Sequence, residues 1–119
     1  MSRDLDAAIA RAKGDILREQ EGEYCVIRWA DSELYVEALP HYSTDGNDML
    51  QLDREMRERG WWLEECWYVP SKDATDYGWC AFYRDNNDNT GMFTGAETEP
   101  LGRALAAYKA LTGKEWSEE

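Results

Sequence analysis

Histidine is almost missing from this chain: among 119 residues there is one, His41. Cysteine is nearly as scarce, with Cys25, Cys66 and Cys80 odd in number, widely spaced and forming no CxxC pair. A structural zinc site takes four close-spaced Cys or His ligands, so this set does not make one. Cys66 and Cys80, set among Glu65, Trp67, Trp79 and Ala81, read as small strand residues, and three scattered thiols fit a reducing compartment. No run comes near the roughly 18 apolar residues of a membrane span, and Met1-Ser2-Arg3-Asp4 lacks the basic and apolar regions of a secretory signal. Cations are few as well, 13 Lys plus Arg against 25 Asp plus Glu, for a net charge of −12. Binding a nucleic-acid polymer relies on Lys and Arg displacing counterions from phosphates, and this field repels phosphate.

Motifs for catalysis are missing too. Gly113-Lys114-Glu115 has neither the upstream glycine nor the following hydroxyl of a phosphate-cradling loop, and there is no dinucleotide fingerprint. His41 could face a thiol, yet nothing in the sequence marks a nucleophile turn. Glu64 and Glu65 point to opposite faces if they lie on a strand. Asp85, Asn87 and Asn89 alternate as in an EF-hand loop, but the sixth position is Thr90 instead of Gly and the twelfth is Ala96, so the segment reads as a solvated hairpin turn. The expectation is a cytoplasmic, non-enzymatic protein without metal or cofactor.

What the chain does have is aromatic bulk, six Trp, seven Tyr and two Phe, within a 43% hydrophobic composition. That suffices for one globular core and disfavours disorder. From Asp4 to about Arg18, Leu5, Ala8, Ile9, Ala12 and Ile16 follow helical spacing, with Gly14 weakening the pattern without ending it. Tyr24 to Trp29 and Leu34 to Ala38, split by Ala30-Asp31-Ser32-Glu33, predict a hairpin. Ser43-Thr44-Asp45 predicts the start of a helix carrying Met49, Leu52 and Met56 inward, supported by a Glu55 to Arg59 pair and stopped by Gly60. Trp61 to Val69, Tyr77 to Tyr83 and Gly91 to Thr94 read as strands. Thr98 and Pro100 open a last helix, with Leu101, Ala104, Leu105, Tyr108 and Leu111 buried, before Gly113. Residues 1–119 are therefore expected to form a single compact α+β domain, an antiparallel β-sheet sandwiched by about three helices.

Several segments together resemble the phage ABA-sandwich domain proteins of tailed phages and prophages. They are Leu5 to Ala10 with Gly14, Tyr42-Ser43-Thr44-Asp45, Arg59-Gly60-Trp61, and Ala96 to Leu101 with Arg103-Ala104. Glu21 to Ala38 is longer than that pattern. The resemblance implies a sheet sandwiched by helices and a phage origin, and no particular activity; the expected location is then the cytoplasm of the host bacterial cell.

Two functions remain open. The aromatic excess leaves two readings: helices covering both sheet faces bury nearly all the rings, or some are exposed for a partner interface, for self-association into a homo-oligomer, or as a platform for a planar base. A small nucleotide could sit at the Ser43-Thr44-Asp45-Gly46 helix start, with Arg84 or Arg103 as its cation and with Tyr42, Trp79 and Tyr83 as further candidate ligand-binding residues. By analogy with other small phage proteins, this would be a sponge for a nucleotide-type bacterial immune signal, such as a cyclic nucleotide or cyclic ADP-ribose-like compound. Alternatively, the acidity could serve an inhibitor or DNA mimic that occupies the basic cleft of a host defence protein.

Overall fold

A computed structural model of the chain describes residues 3–117; Met1 and Ser2, the first half of the segment read for a secretory signal, and Glu118 and Glu119 lie outside the described residues. The elements run α1 (Asp4–Ala12), β1 (Ile16–Gln20), β2 (Glu23–Ala30), β3 (Glu33–Ala38), α2 (Gly46–Glu58), β4 (Trp61–Val69), β5 (Gly78–Asp85), β6 (Thr90–Ala96) and α3 (Glu99–Thr112). The α+β class holds. The strands, however, divide into two antiparallel three-stranded sheets, β1-β2-β3 and β4-β5-β6, instead of forming one.

The first helix ends earlier than its apolar spacing suggests. Gly14 takes φ +96°, its N–H donates to Arg11 O at 3.0 Å, and the Asp15 N–H donates to Ala10 O at 2.9 Å. These two bonds close a Schellman motif that only a left-handed residue allows. Ile16, assigned to the helix stripe by its spacing, instead starts β1 and lies 58% exposed. Two-residue turns then join β1 to β2 and β2 to β3, with positive φ at Glu21 and Gly22 and at Asp31 and Ser32. Paired positive φ values match the right-handed strand twist, as in type I′ hairpins.

The other helices start and stop where their caps stand. The Asp45 carboxylate accepts the N–H groups of Asn47 and Asp48 at 2.8 and 3.0 Å, and Gly60 turns left-handed after α2. Thr98 Oγ1 accepts the Leu101 N–H at 3.3 Å, and Gly113 closes α3 at φ +74°. Between β5 and β6, Asp85 accepts the N–H groups of Asn87 and Asn89 at 2.9 Å each, which ties the hairpin turn.

The helices lie between the sheets. Ala104, Ala106, Ala107 and Ala110 of α3 pack with Ala81 and Tyr83 of β5, and with Leu5 and Ile9 of α1 and Leu52 and Met56 of α2. The small alanine face lets α3 approach β6 so closely that a Cβ on Gly91 would stand 2.4 Å from Ala110 N. The other side of α1, Ala7 and Ala10, meets Val26 and Leu39, with Leu17 and Tyr24 packed alongside. The first sheet is thus held by a small apolar contact and by a polar one. In the polar contact, Lys13 Nζ donates to Asp15 Oδ2 at 2.8 Å, to Glu55 Oε1 at 2.8 Å and to Tyr42 Oη at 3.0 Å. Arg59, expected to pair with the Glu55 side chain, donates instead to the backbone oxygens of Lys13 and Glu55 at 3.0 Å each, because Glu55 turns inward to Lys13.

Candidate functional site

The seven residues singled out for a nucleotide fall in three separate places. Tyr42 and Ser43 are buried between α1 and α2, with only Thr44 of that trio exposed. The amides there are already used: the Ser43 N–H donates to Asp6 Oδ1 at 2.9 Å, the His41 N–H to Asp48 Oδ2 at 2.7 Å, and Asp45 caps α2. Three carboxylates, Asp6, Asp45 and Asp48, accept these amides, and their charge repels a phosphate. The anion site expected at this helix start is therefore occupied by the chain's own acids.

Tyr83 on β5 and Arg103 on α3 lie between the second sheet and that helix. Tyr83 is fully buried, and burial, followed by the nearby Asp53 carboxylate, pushes its phenol above the usual range. Arg103 Nη2 donates to Glu99 Oε2 at 2.6 Å, and its side chain is 15% exposed. Cys66 lies beside this pair, and burial pushes its thiol up despite Arg103, so the group stays a protonated thiol instead of a ready nucleophile. Trp79 is half-buried against Gly102 of α3. Arg84 stands on the opposite face, with Nε 2.7 Å from Glu64 Oε2, its guanidinium 5.4 Å from the Phe82 ring centre, and Asp88 at 3.6 Å. Strand alternation separates Tyr83 from Arg84, and each arginine already has its own carboxylate.

Of the two readings left open for the aromatic rings, exposure holds for several of them: Trp29, Tyr35, Trp62, Tyr68 and Tyr77 are exposed. Among the described residues, Tyr42 and Tyr83 are the only Trp, Tyr or Phe rings that are fully buried. One uncovered apolar surface, not assigned from the sequence, is the outer face of β1-β2-β3. Register places Ile16, Ile27 and Val36 side by side across the three strands, with Trp29 opposite Leu34 in the next row and Cys25 opposite Ala38 on the far side. Trp29 is 69% exposed, and Ile16, Leu34 and Val36 are 58%, 55% and 54% exposed. Leu17, Val26 and Tyr24 alternate with them and face α1. Every residue of β3 is exposed, and as an edge strand it also leaves one side unpaired.

These side chains present on the order of 500 Å² of apolar surface, at the upper end of what monomers leave uncovered. Charge surrounds this surface more than it enters it. Exposed Glu21 and Glu23 stand at one hairpin turn and Asp31 and Glu33 at the other, while Arg18 shares the Cys25 row. The signal was present in the sequence, since Ile16, Ile27 and Val36 alternate with Leu17, Val26 and Tyr35. Reading Ile16 as helical hid the third strand that makes the face continuous. Compared with protein-family models, curated proteins and solved structures, the chain matches none.

Proposed function

We propose that this chain is a non-enzymatic binding protein that holds another protein against the outer face of β1-β2-β3. The observation that carries the reading is a continuous apolar face, Ile16, Ile27, Trp29, Leu34 and Val36, bordered by Glu21, Glu23, Asp31 and Glu33. Apolar cores with polar rims are the anatomy of protein interfaces, and an exposed Trp is a common anchor. The acidic border and the net charge of −12 select a partner whose own apolar patch is rimmed by Lys and Arg. A basic, nucleic-acid-handling host protein has that chemistry, which favours the inhibitor reading over the nucleotide sponge. The resemblance to phage proteins would make that host protein part of a bacterial defence. A second copy of the chain fits less well, because its border would bring acid against acid.

The test is affinity capture from bacterial lysate at low and high salt, with light scattering on the purified protein alongside. Expected is a basic protein retained by the wild type, weakened by salt, lost with a Trp29→Ser/Leu34→Ser variant and kept with Trp62→Ser on the other sheet. Equal capture by wild type and the double variant would overturn the reading. So would a stable homodimer that the double variant dissociates, since the face would then serve self-assembly.

A further inference from the structure

A second surface lies at the far end of β4-β5-β6, where β4 ends and the loop before β5 returns. Tyr68 and Tyr77 form the walls of an open cleft of about 380 Å³, with Gly78, Gly95 and Ala96 beneath them and Glu97 at its edge. The two rings stand 6.4 Å apart at 61°, and Tyr68 is backed by Trp79 at 5.3 Å. Trp79 in turn rests on α3 beside Gly102, so the inner wall is fixed by core packing. The Tyr77 N–H donates to Ala74 O at 3.3 Å, which holds the outer wall through its own loop. Both tyrosines remain accessible, at 46% and 39% exposure.

Beneath the rings the cleft is bare backbone. Gly78 has φ +118°, and a Cβ there would stand 2.5 Å from Ala96 O; Gly95 has φ +87°. A side chain at Gly78 would collide with backbone, and the left-handed φ of Gly95 favours glycine, so neither position adds a side chain to the cleft. The lining contains no Lys or Arg, and its one charged side chain is Glu97. Nearby Glu99 is engaged by Arg103, whereas Glu97 makes no hydrogen bond or ion pair among the described residues.

The geometry points to a binding site for an organic cation, an alkylammonium or guanidinium group held over the Tyr68 and Tyr77 rings with Glu97 as its counter-charge. Tyrosine faces carry negative quadrupole density that attracts such a group, and the carboxylate adds direct Coulomb attraction. An anion finds no donor side chain there, and a neutral apolar group gains nothing from Glu97. The cation can be a free small amine or the side chain of a Lys or Arg on a protein. The site stands apart from the outer face of the first sheet and does not depend on the function proposed for it.

The test is titration of the full chain, followed by NMR and calorimetry, with choline, with its neutral isostere 3,3-dimethylbutan-1-ol, and with blocked arginine amide. Choline or the arginine amide binds and shifts the Tyr68, Tyr77 and Gly95 signals, while the isostere does not. Glu97→Gln weakens that binding about threefold and Tyr77→Ala about fivefold. Both substitutions are at exposed positions, and unchanged Trp29 and Val26 signals confirm that the fold is intact. A tighter fit for choline identifies a free amine as the source, and a tighter fit for the arginine amide a protein side chain. Equal binding of the isostere, no binding of either cation, or affinity unmoved by Glu97→Gln would overturn the assignment.

Discussion

Lys13 Nζ stands 2.8 Å from Glu55 Oε1, and its side chain is fully buried while that of Glu55 is 11% exposed. The pair joins the end of α1 to the middle of α2. Around it, the Tyr42 hydroxyl donates to Glu55 Oε1 at 2.7 Å, and Arg28 reaches Glu55 and Asp15 from β2 at 3.6 and 3.8 Å. The first sheet is thus attached to the helices by ion pairs as well as by the small Val26 and Leu39 contact. Removing one partner leaves a buried charge uncompensated. Lys13→Met should cost about 3 to 5 kcal/mol of folding stability, whereas Lys13→Met with Glu55→Leu should cost clearly less, as urea unfolding of the two variants will show.

Acid should weaken the same junction. Burial raises the Glu55 carboxyl, but hydrogen bonds and charge from Lys13, with the Tyr42 hydroxyl, more than offset this and hold it below its ordinary value. The folded state therefore binds the proton less readily than the unfolded chain. The stabilisation is complete above the unfolded carboxyl value, about 4.3, and is lost as pH falls through the lower folded value. Asp6 has the opposite sign: burial raises it, and Ser43 and Arg3 lower it only in part, so its contribution grows on acidification. Urea midpoints measured from neutral pH to below about 4 should fall less steeply for Glu55→Gln than for wild type and more steeply for Asp6→Asn.

Trp29 and Val26 lie on the same strand and face opposite ways, 69% and 0% exposed. Trp29→Ser should leave folding stability within about 0.5 kcal/mol. Val26→Ala should cost about 2 kcal/mol through lost burial and the void left against α1. Thermal unfolding separates the two outcomes, and it also shows that any loss of partner binding by the Trp29 variant is not a loss of fold.

Two glycines beside α3 should respond differently to the same methyl group. At Gly91 the added carbon would meet Ala110 backbone at 2.4 Å, so Gly91→Ala should destabilise by about 3 kcal/mol through forced separation of β6 from α3. At Gly102, inside α3, the nearest atoms are 3.4 Å away, an ordinary contact. There Gly→Ala should be neutral or stabilising by up to about 1 kcal/mol, from better helix propensity. Denaturant midpoints compare them directly.

Much of the local structure was legible because caps and turns are short-range chemistry. Asp45 and Gly60 bound α2, and Thr98, Pro100 and Gly113 bound α3, each at a residue that supplies or permits a specific backbone bond. Gly14 was the exception. Helical spacing continues formally to Ile16, and only the Schellman bonds from Gly14 and Asp15 show that the chain turns there. The element that starts at Ile16, β1, is the third strand of the first sheet, which the hairpin of β2 and β3 alone does not supply.

Composition by itself determined that this is an acidic, aromatic-rich chain, and its periodicity and caps that it is an α+β domain. Which rings reach the surface was decided by tertiary structure alone. A strand places alternate residues on opposite faces, but the sequence does not say which face a helix will cover. In the first sheet, α1 covers Leu17, Val26 and Tyr24 and leaves Ile16, Trp29, Leu34 and Val36 outside. The grouping of Tyr42, Tyr83, Arg84 and Arg103 into one site failed for the same reason. Residues near in sequence or alike in chemistry were separated by a sheet and by the helix layer, because alternation and packing, not composition, fix the direction of each side chain.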